Sequence, residues 1–204
     1  MTDFGSQPLH LSRRLAAEIT AAFDTVMAQL KTKSDPRALI ESFSTQNVAA
    51  RGYLLPDDLL LIALLKNGDK LSGKTRAALQ SNSPAALRFL TQAAYHAVDD
   101  EIAIRLLLGL DGVNLPTASC ILAWVWPARW PVIDVNSWMA IEHFDSNRLA
   151  PKRSTKGLKM AHWLFYTQLV RLVGAATGLS PQQIDMWLYA VGRTLEKSSQ
   201  SKEG

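Results

Sequence analysis

The chain has 204 residues, 48% of them apolar and 20% charged, with a formal net charge of +4. Those proportions are globular and the length is enough to bury a core without staples, so a wholly disordered chain is excluded. No apolar run approaches the roughly 20 residues of a membrane span, and the single cysteine, Cys120, excludes an intramolecular disulfide or a cysteine-ligated zinc or iron–sulfur site within this chain.

Met1 to Pro8 is polar and lacks the charged and apolar regions of a signal peptide, so a cytoplasmic protein is expected. Leu11, Leu15, Ile19, Ala22, Phe23, Val26 and Leu30 recur at helical spacing and predict an amphipathic first helix of roughly five turns. Asp35-Pro36 opens a second helix carrying Leu39, Ile40 and Phe43, with aspartate as cap and proline at the first helical position. A third starts at Pro56 and stops at Gly68. Ser83-Pro84 starts a helix to about Ala97, and Asp99 or Asp100 caps the next, which runs to Leu110. After the turn Asp111-Gly112-Val113-Asn114, another helix runs from Pro116 to about Trp126. Trp126 to Pro131 reads as a loop, and Asp134 stands before a helix containing Trp138 and Ile141. A long helix is predicted from about Leu158 to Val173. The last opens on the capping box Ser180-Pro181-Gln182-Gln183 and ends near Leu195. Only Pro131-Val132-Ile133 looks strand-like. The expectation is an all-α protein of nine or ten helices. It forms a single domain over residues 1–196, with a flexible tail over 197–204.

The four histidines, His10, His96, His143 and His162, show no i, i+4 pair, so neither a metal nor another cofactor is expected. Charge is unevenly spread. Arg148, Lys152, Arg153, Lys156 and Lys159 fall in one stretch with no acid, leaving 17 basic residues against 18 acidic ones elsewhere. Such a strip reads either as a solvated loop or as an anion contact, with nucleic acid the first candidate.

The segment from Leu107 to Trp138 carries the most chemistry. Two apolar helices must reverse tightly between Leu110 and Pro116. Gly112 supplies a positive φ, and Asn114 is one of the few other residue types that tolerate one. Val113 suits the groove between the helices. The following helix starts on the small residues Thr117, Ala118 and Ser119, and its first amides, those of Thr117 and Ala118, are expected to lack an intrahelical partner. A helix start of that kind suits a phosphate.

Leu110-x-Gly112-Val113-Asn114-x-x-Thr117-Ala118, with Asp134 at the matching distance, resembles the helix-hairpin-helix (HhH-GPD) DNA glycosylase superfamily. The hairpin covers 101–126 and the catalytic-loop region 127–138. From about Leu55 to Phe144 the chain also resembles a group of uncharacterised bacterial proteins of this fold, on Leu110-Asp111-Gly112-Val113, Pro116-Thr117-Ala118-Ser119, Pro131 to Val135 and, later, Ile184 to Leu188. The resemblance implies two helical lobes with a cleft between them, and duplex DNA as partner. It implies backbone contacts to phosphate at Gly112, Val113, Asn114, Thr117 and Ala118, supported by Lys152, Arg153 and Lys156. It also implies a monovalent cation held by the main chain of Leu110 and Val113, and Asp134 as the catalytic carboxylate. Where lyase-competent members carry a lysine, this chain has Leu115 and Pro116, so base excision without strand cleavage is implied.

A single carboxylate suits that reaction. Breaking an N-glycosidic bond builds positive charge on the sugar, which a nearby carboxylate stabilises. Asp134 equally fits a plain helix N-cap. An extruded base needs an aromatic slot. Trp126, Trp130 and Trp138 are its candidates; core packing is the competing reading for each. Tyr53, Trp163, Tyr166 and Trp187 are weaker candidates. Cys120 reads as a core thiol, His162-Trp163 as a packed face, and Asp185 as a first-turn acid favoured by the helix dipole. Two rival functions stand beside base excision. One is a non-catalytic DNA-binding protein, the other an all-helical protein-interaction module.

Overall fold

The structure, a computed structural model, describes residues 7–30, 45–68, 70–154 and 157–200. Among these residues the protein is all-α. Ten helices follow one another: α1 (Gln7–Leu30), α2 (Thr45–Arg51), α3 (Pro56–Lys66), α4 (Gly73–Gln80), α5 (Pro84–His96), α6 (Asp100–Leu107), α7 (Leu115–Val125), α8 (Val135–Phe144), α9 (Met160–Thr177) and α10 (Pro181–Gln200). The expected helix at Asp35-Pro36 lies outside the described residues. Among the described residues Pro131-Val132-Ile133 pairs with no strand. The one β-type contact among the described residues is a bridge between Ser154 and Gly157.

Most helix starts sit where the sequence puts them, and side-chain caps are the reason. Ser83 accepts the Ala86 amide at 3.2 Å, and Asp99 accepts those of Glu101 and Ile102 at 2.9 Å. Ser180 and Gln183 bond each other's backbone amides, closing the capping box. The ends are less well foreseen. α6 stops at Leu107, not Leu110, because its last turn tightens: Gly109 and Leu110 donate to the carbonyls of Leu106 and Leu107. α9 continues to Thr177, where Gly178 takes a left-handed conformation (φ 73°). α10 continues past Leu195 to Gln200. The short helices α2 and α4 escape a periodicity reading. α4 buries one apolar side chain, Leu79, and owes its start to the Ser72 cap on Thr75.

The chain divides into two compact units. The first comprises, among the described residues, 7–30 and 128–200; the second comprises those from 45 to 127. In the first unit α8 lies on α10, while α1 packs on α9 and α10. Leu11, Leu15 and Ile19 bury one stripe of α1 there. Trp130, Trp138, Trp163, Phe165 and Tyr166 fill the core, and Phe144 stacks on Trp187 at 5.7 Å. α10 approaches α8 so closely that a Cβ at Gly192 would overlap the Asn136 carbonyl group.

In the second unit α7 is central and contacts α2, α3, α5 and α6. Ten of its residues are buried, from Leu115 to Val125 with Pro116 excepted. A helix apolar on every face is stable only when surrounded, and α7 is surrounded.

Candidate functional site

The hairpin turn between α6 and α7 is built around Gly112, at φ 77°. A side chain is barred there twice over. The left-handed conformation disfavours a Cβ, and an added Cβ would meet the Leu79 amide nitrogen at 3.0 Å and Ala78 at 3.2 Å. The turn therefore rests against the end of α4. Asn82 fastens it: the Asp111 amide donates to the Asn82 side-chain oxygen, and the Asn82 side-chain amide donates to the Asp111 carbonyl, both at 2.9 Å. Val113 is buried, while Gly112 and Asn114 are exposed.

Asn114 departs from expectation. It has no positive φ but an extended one (φ −101°, ψ 174°), and it is the N-cap of α7. Its side-chain oxygen accepts the Thr117 amide at 3.0 Å and the Thr117 hydroxyl at 2.9 Å. The Ala118 amide donates to the Asn114 carbonyl at 2.8 Å. Thr117 and Ala118 are buried, and their amides, expected to lack partners, are both engaged. The cause is the cap itself, which fills the first turn's vacancy from within. Among the described residues, no hydrogen bond reaches the amides of Gly112 and Asn114. Of the five residues expected to contact phosphate, these two keep amides free to donate among the described residues. The Leu110 carbonyl accepts the Val113 amide at 3.3 Å, which leaves it one lone pair for a cation.

Asp134 is the N-cap of α8, half-buried, with its Oδ1 accepting the Ser137 amide at 2.8 Å. The capping geometry is thus real, and it holds the carboxylate at the positive end of the helix. Directly behind lies a group that sequence reading assigned elsewhere. Asp185 is not in the first turn of α10 but at its fifth residue, and it is buried. Its Oδ1 accepts the Ser137 hydroxyl at 3.1 Å and the Tyr166 hydroxyl at 2.7 Å. Burial, and then the Asp185 and Asp134 carboxylates, push the Tyr166 phenol well above its ordinary range, so it stays protonated and donates.

The tryptophans separate. Trp130 and Trp138 are wholly buried, whereas Trp126 is 42% exposed at the end of α7. The Trp138 indole donates to Glu142 at 3.1 Å and meets His162 edge-on at 4.8 Å. The Arg129 guanidinium covers the Trp130 ring at 4.0 Å. In this conformation both are core side chains, because neighbours from α8, α9 and the preceding loop close over them. The weaker candidates Trp163 and Trp187 are also core residues. The guanidinium groups of Arg51 and Arg88 lie over the Tyr53 ring, at 5.3 and 4.5 Å.

Lys152 and Arg153 are exposed, and Lys156 lies outside the described residues. One buried side chain, His162, holds the strip at Lys152 and at Lys159. Its Nδ1 accepts the Lys159 amide at 2.8 Å, so its Nε2 carries the proton and donates to the Lys152 carbonyl at 3.2 Å. Burial holds His162 below the ordinary histidine range, against the raising effects of the Lys152 carbonyl and of Glu142. Arg153 also approaches Glu142, at 3.9 Å.

No family model, no curated protein and no solved structure matches the chain.

The chemistry of the site therefore rests on its own geometry. Among the described residues no three His, Cys, Asp or Glu side chains are grouped to hold a metal ion, and no helix is long and apolar enough to cross a membrane. A cleft of about 260 Å³ in the second unit is lined by Pro56, Asp57, Leu60, Leu79 and Gln80. In the first unit the partly exposed carboxylate of Asp134 is backed, through Ser137, by a buried carboxylate and the Tyr166 hydroxyl. Ser137 and Asp185 gave no sequence signal for this role: the three contributing helices meet only on folding.

Proposed function

We propose that the protein binds duplex DNA through the hairpin turn and hydrolyses the N-glycosidic bond of a damaged base, with no lyase step, on a helix-hairpin-helix glycosylase-like fold. The observation that carries the reading is the Gly112 turn. It combines a left-handed glycine, two amides at exposed residues with no partner among the described residues, and a capped apolar helix behind them. Main-chain amides left unpaired in a turn, as at Gly112 and Asn114 on either side of Val113, suit a phosphate oxygen. Lys152 and Arg153 add exposed positive charge. Asp134 is the carboxylate for the sugar.

In the proposed reaction water adds to the anomeric carbon as the carbon–nitrogen bond breaks. The electron pair leaves with the base, which takes up a proton. Positive charge on the sugar is greatest at the transition state, where the Asp134 carboxylate stabilises it. Leu115 and Pro116 offer no amine, so no Schiff base forms there.

The test is base release from a panel of lesion-bearing duplexes. Wild-type protein should leave abasic sites that break only on alkali treatment. Asp134→Asn should lower release by at least about a hundredfold while binding DNA as before, since asparagine caps a helix about as well as aspartate. Release unchanged in Asp134→Asn would leave Asp134 as a cap. DNA binding without release from any duplex would favour the non-catalytic reading.

A further inference from the structure

The N-cap bond of α8 requires only the Asp134 carboxylate and the Ser137 amide. The Ser137 side chain does something else. Its hydroxyl turns inward to Asp185, where it shares one carboxylate oxygen with the Tyr166 hydroxyl. Ser137, Tyr166 and Asp185 are all buried, at 0%, 0% and 1% exposure. Burying a carboxylate is costly unless hydrogen bonds replace its water. Two hydroxyl donors on one oxygen do that, and they also fix the carboxylate in direction.

A second contact holds the same turn. Gly192, seven residues after Asp185 and so on the same side of α10, lies against the carbonyl of Asn136, the neighbour of Ser137. One face of α10 thus holds α8 at two adjacent residues, the Asn136 backbone and the Ser137 hydroxyl, in the turn that Asp134 caps. Between the two contacts Leu188 is wholly buried.

We infer that Asp185 is a positioning residue for Asp134: through the Ser137 hydroxyl it fixes the first turn of α8, and with it the direction in which the Asp134 carboxylate is presented. The inference rests on the reading of Asp134 as the carboxylate of base release. Asp185 touches no substrate and transfers no proton; it acts through Ser137. Tyr166 supplies the second hydrogen bond, which keeps the Asp185 oxygen on line.

The experiment is single-turnover base release, with DNA affinity measured alongside. Ser137→Ala keeps the backbone amide, and so the cap on Asp134, but removes the link to Asp185. It should slow release by about tenfold or more at saturating protein, with DNA affinity unchanged. Asp185→Leu should slow release similarly. Asp185→Asn, whose amide oxygen still accepts both hydroxyls, should stay within a few-fold of wild type, about threefold at most. That rescue by the conservative variant separates positioning from bulk packing. Should Asp185→Leu fail to fold, Ser137→Ala alone decides, because it removes one oxygen atom. Wild-type release rates in Ser137→Ala, or rate and DNA affinity falling together, overturn the inference and leave the proposed function standing. Absence of release from wild-type protein on every duplex removes the function and the inference with it.

Discussion

Asn82 and Asp111 bond each other as two facing strand residues would: the Asp111 amide donates to the Asn82 side-chain oxygen and the Asn82 side-chain amide donates to the Asp111 carbonyl, each at 2.9 Å. One side chain thereby satisfies both polar groups of the residue before Gly112. It also ties the hairpin turn to the end of α4, 29 positions earlier in the chain. Asn82→Ala removes both bonds. A loss of about 1–2 kcal/mol is expected, read as a lower urea midpoint with an unchanged slope. Hydrogen exchange at the Gly112 and Val113 amides should quicken more than exchange within α7. Equal quickening throughout would show that the turn is held by α7 and not by Asn82.

Gly192→Ala tests the α8–α10 crossing. Its Cβ would overlap backbone, not the flexible end of a side chain, so neither helix accommodates it by changing a rotamer. About 3 kcal/mol of destabilisation is expected. Thermal melting of Gly192→Ala and of Gly178→Ala makes the comparison. Gly178 has a positive φ of 73° but open space around it, so its alanine variant should lose only about 1 kcal/mol.

His162 predicts an acid-side loss of stability. Its pKa is depressed in the folded protein, chiefly by burial. Below the ordinary value of 6.5 the unfolded chain therefore binds the proton more readily than the folded one. The stabilisation is complete above pH 6.5 and is lost as pH falls through that value toward the folded pKa. Protonated Nδ1 also cannot accept the Lys159 amide. The groups facing the ring are Glu142, the Lys159 ammonium and the Trp138 indole. The urea midpoint should fall between pH 7 and pH 5, and His162→Gln should flatten that fall. An equal fall in both proteins would assign it to other groups.

If DNA lies on the basic strip, affinity must depend steeply on salt. Each phosphate neutralised contributes about 0.9 to the log–log slope. Lys152→Ala with Arg153→Ala should reduce the slope by about 2. The Arg153–Glu142 pair, 3.9 Å apart at the surface, costs little to break. A slope unchanged in the double variant would place these two side chains off the DNA.

Sequence by itself determined the helical class, most helix starts and the hairpin. Each is a local matter. Apolar spacing marks the buried stripe of a helix, Ser, Asp and Asn cap its first turn, and Gly112 is needed wherever the chain takes a left-handed step. The residue next to the hairpin's glycine shows where local reading ends. Asn114 tolerates a positive φ, yet the fold uses it as a cap, because its side chain reaches the Thr117 amide only from an extended backbone. The tertiary structure decided the rest. α4 became the seat of the hairpin turn through Asn82, far from it in sequence. Trp130 and Trp138 went into the core while Trp126 stayed at the surface. Asp185, which reads as an ordinary acid near a helix start, was carried into the interior behind Asp134 by the crossing of α8 and α10. That crossing depends on close contact between Gly192 and Asn136, residues 56 positions apart, and no local pattern encodes a contact that exists only once the two helices meet.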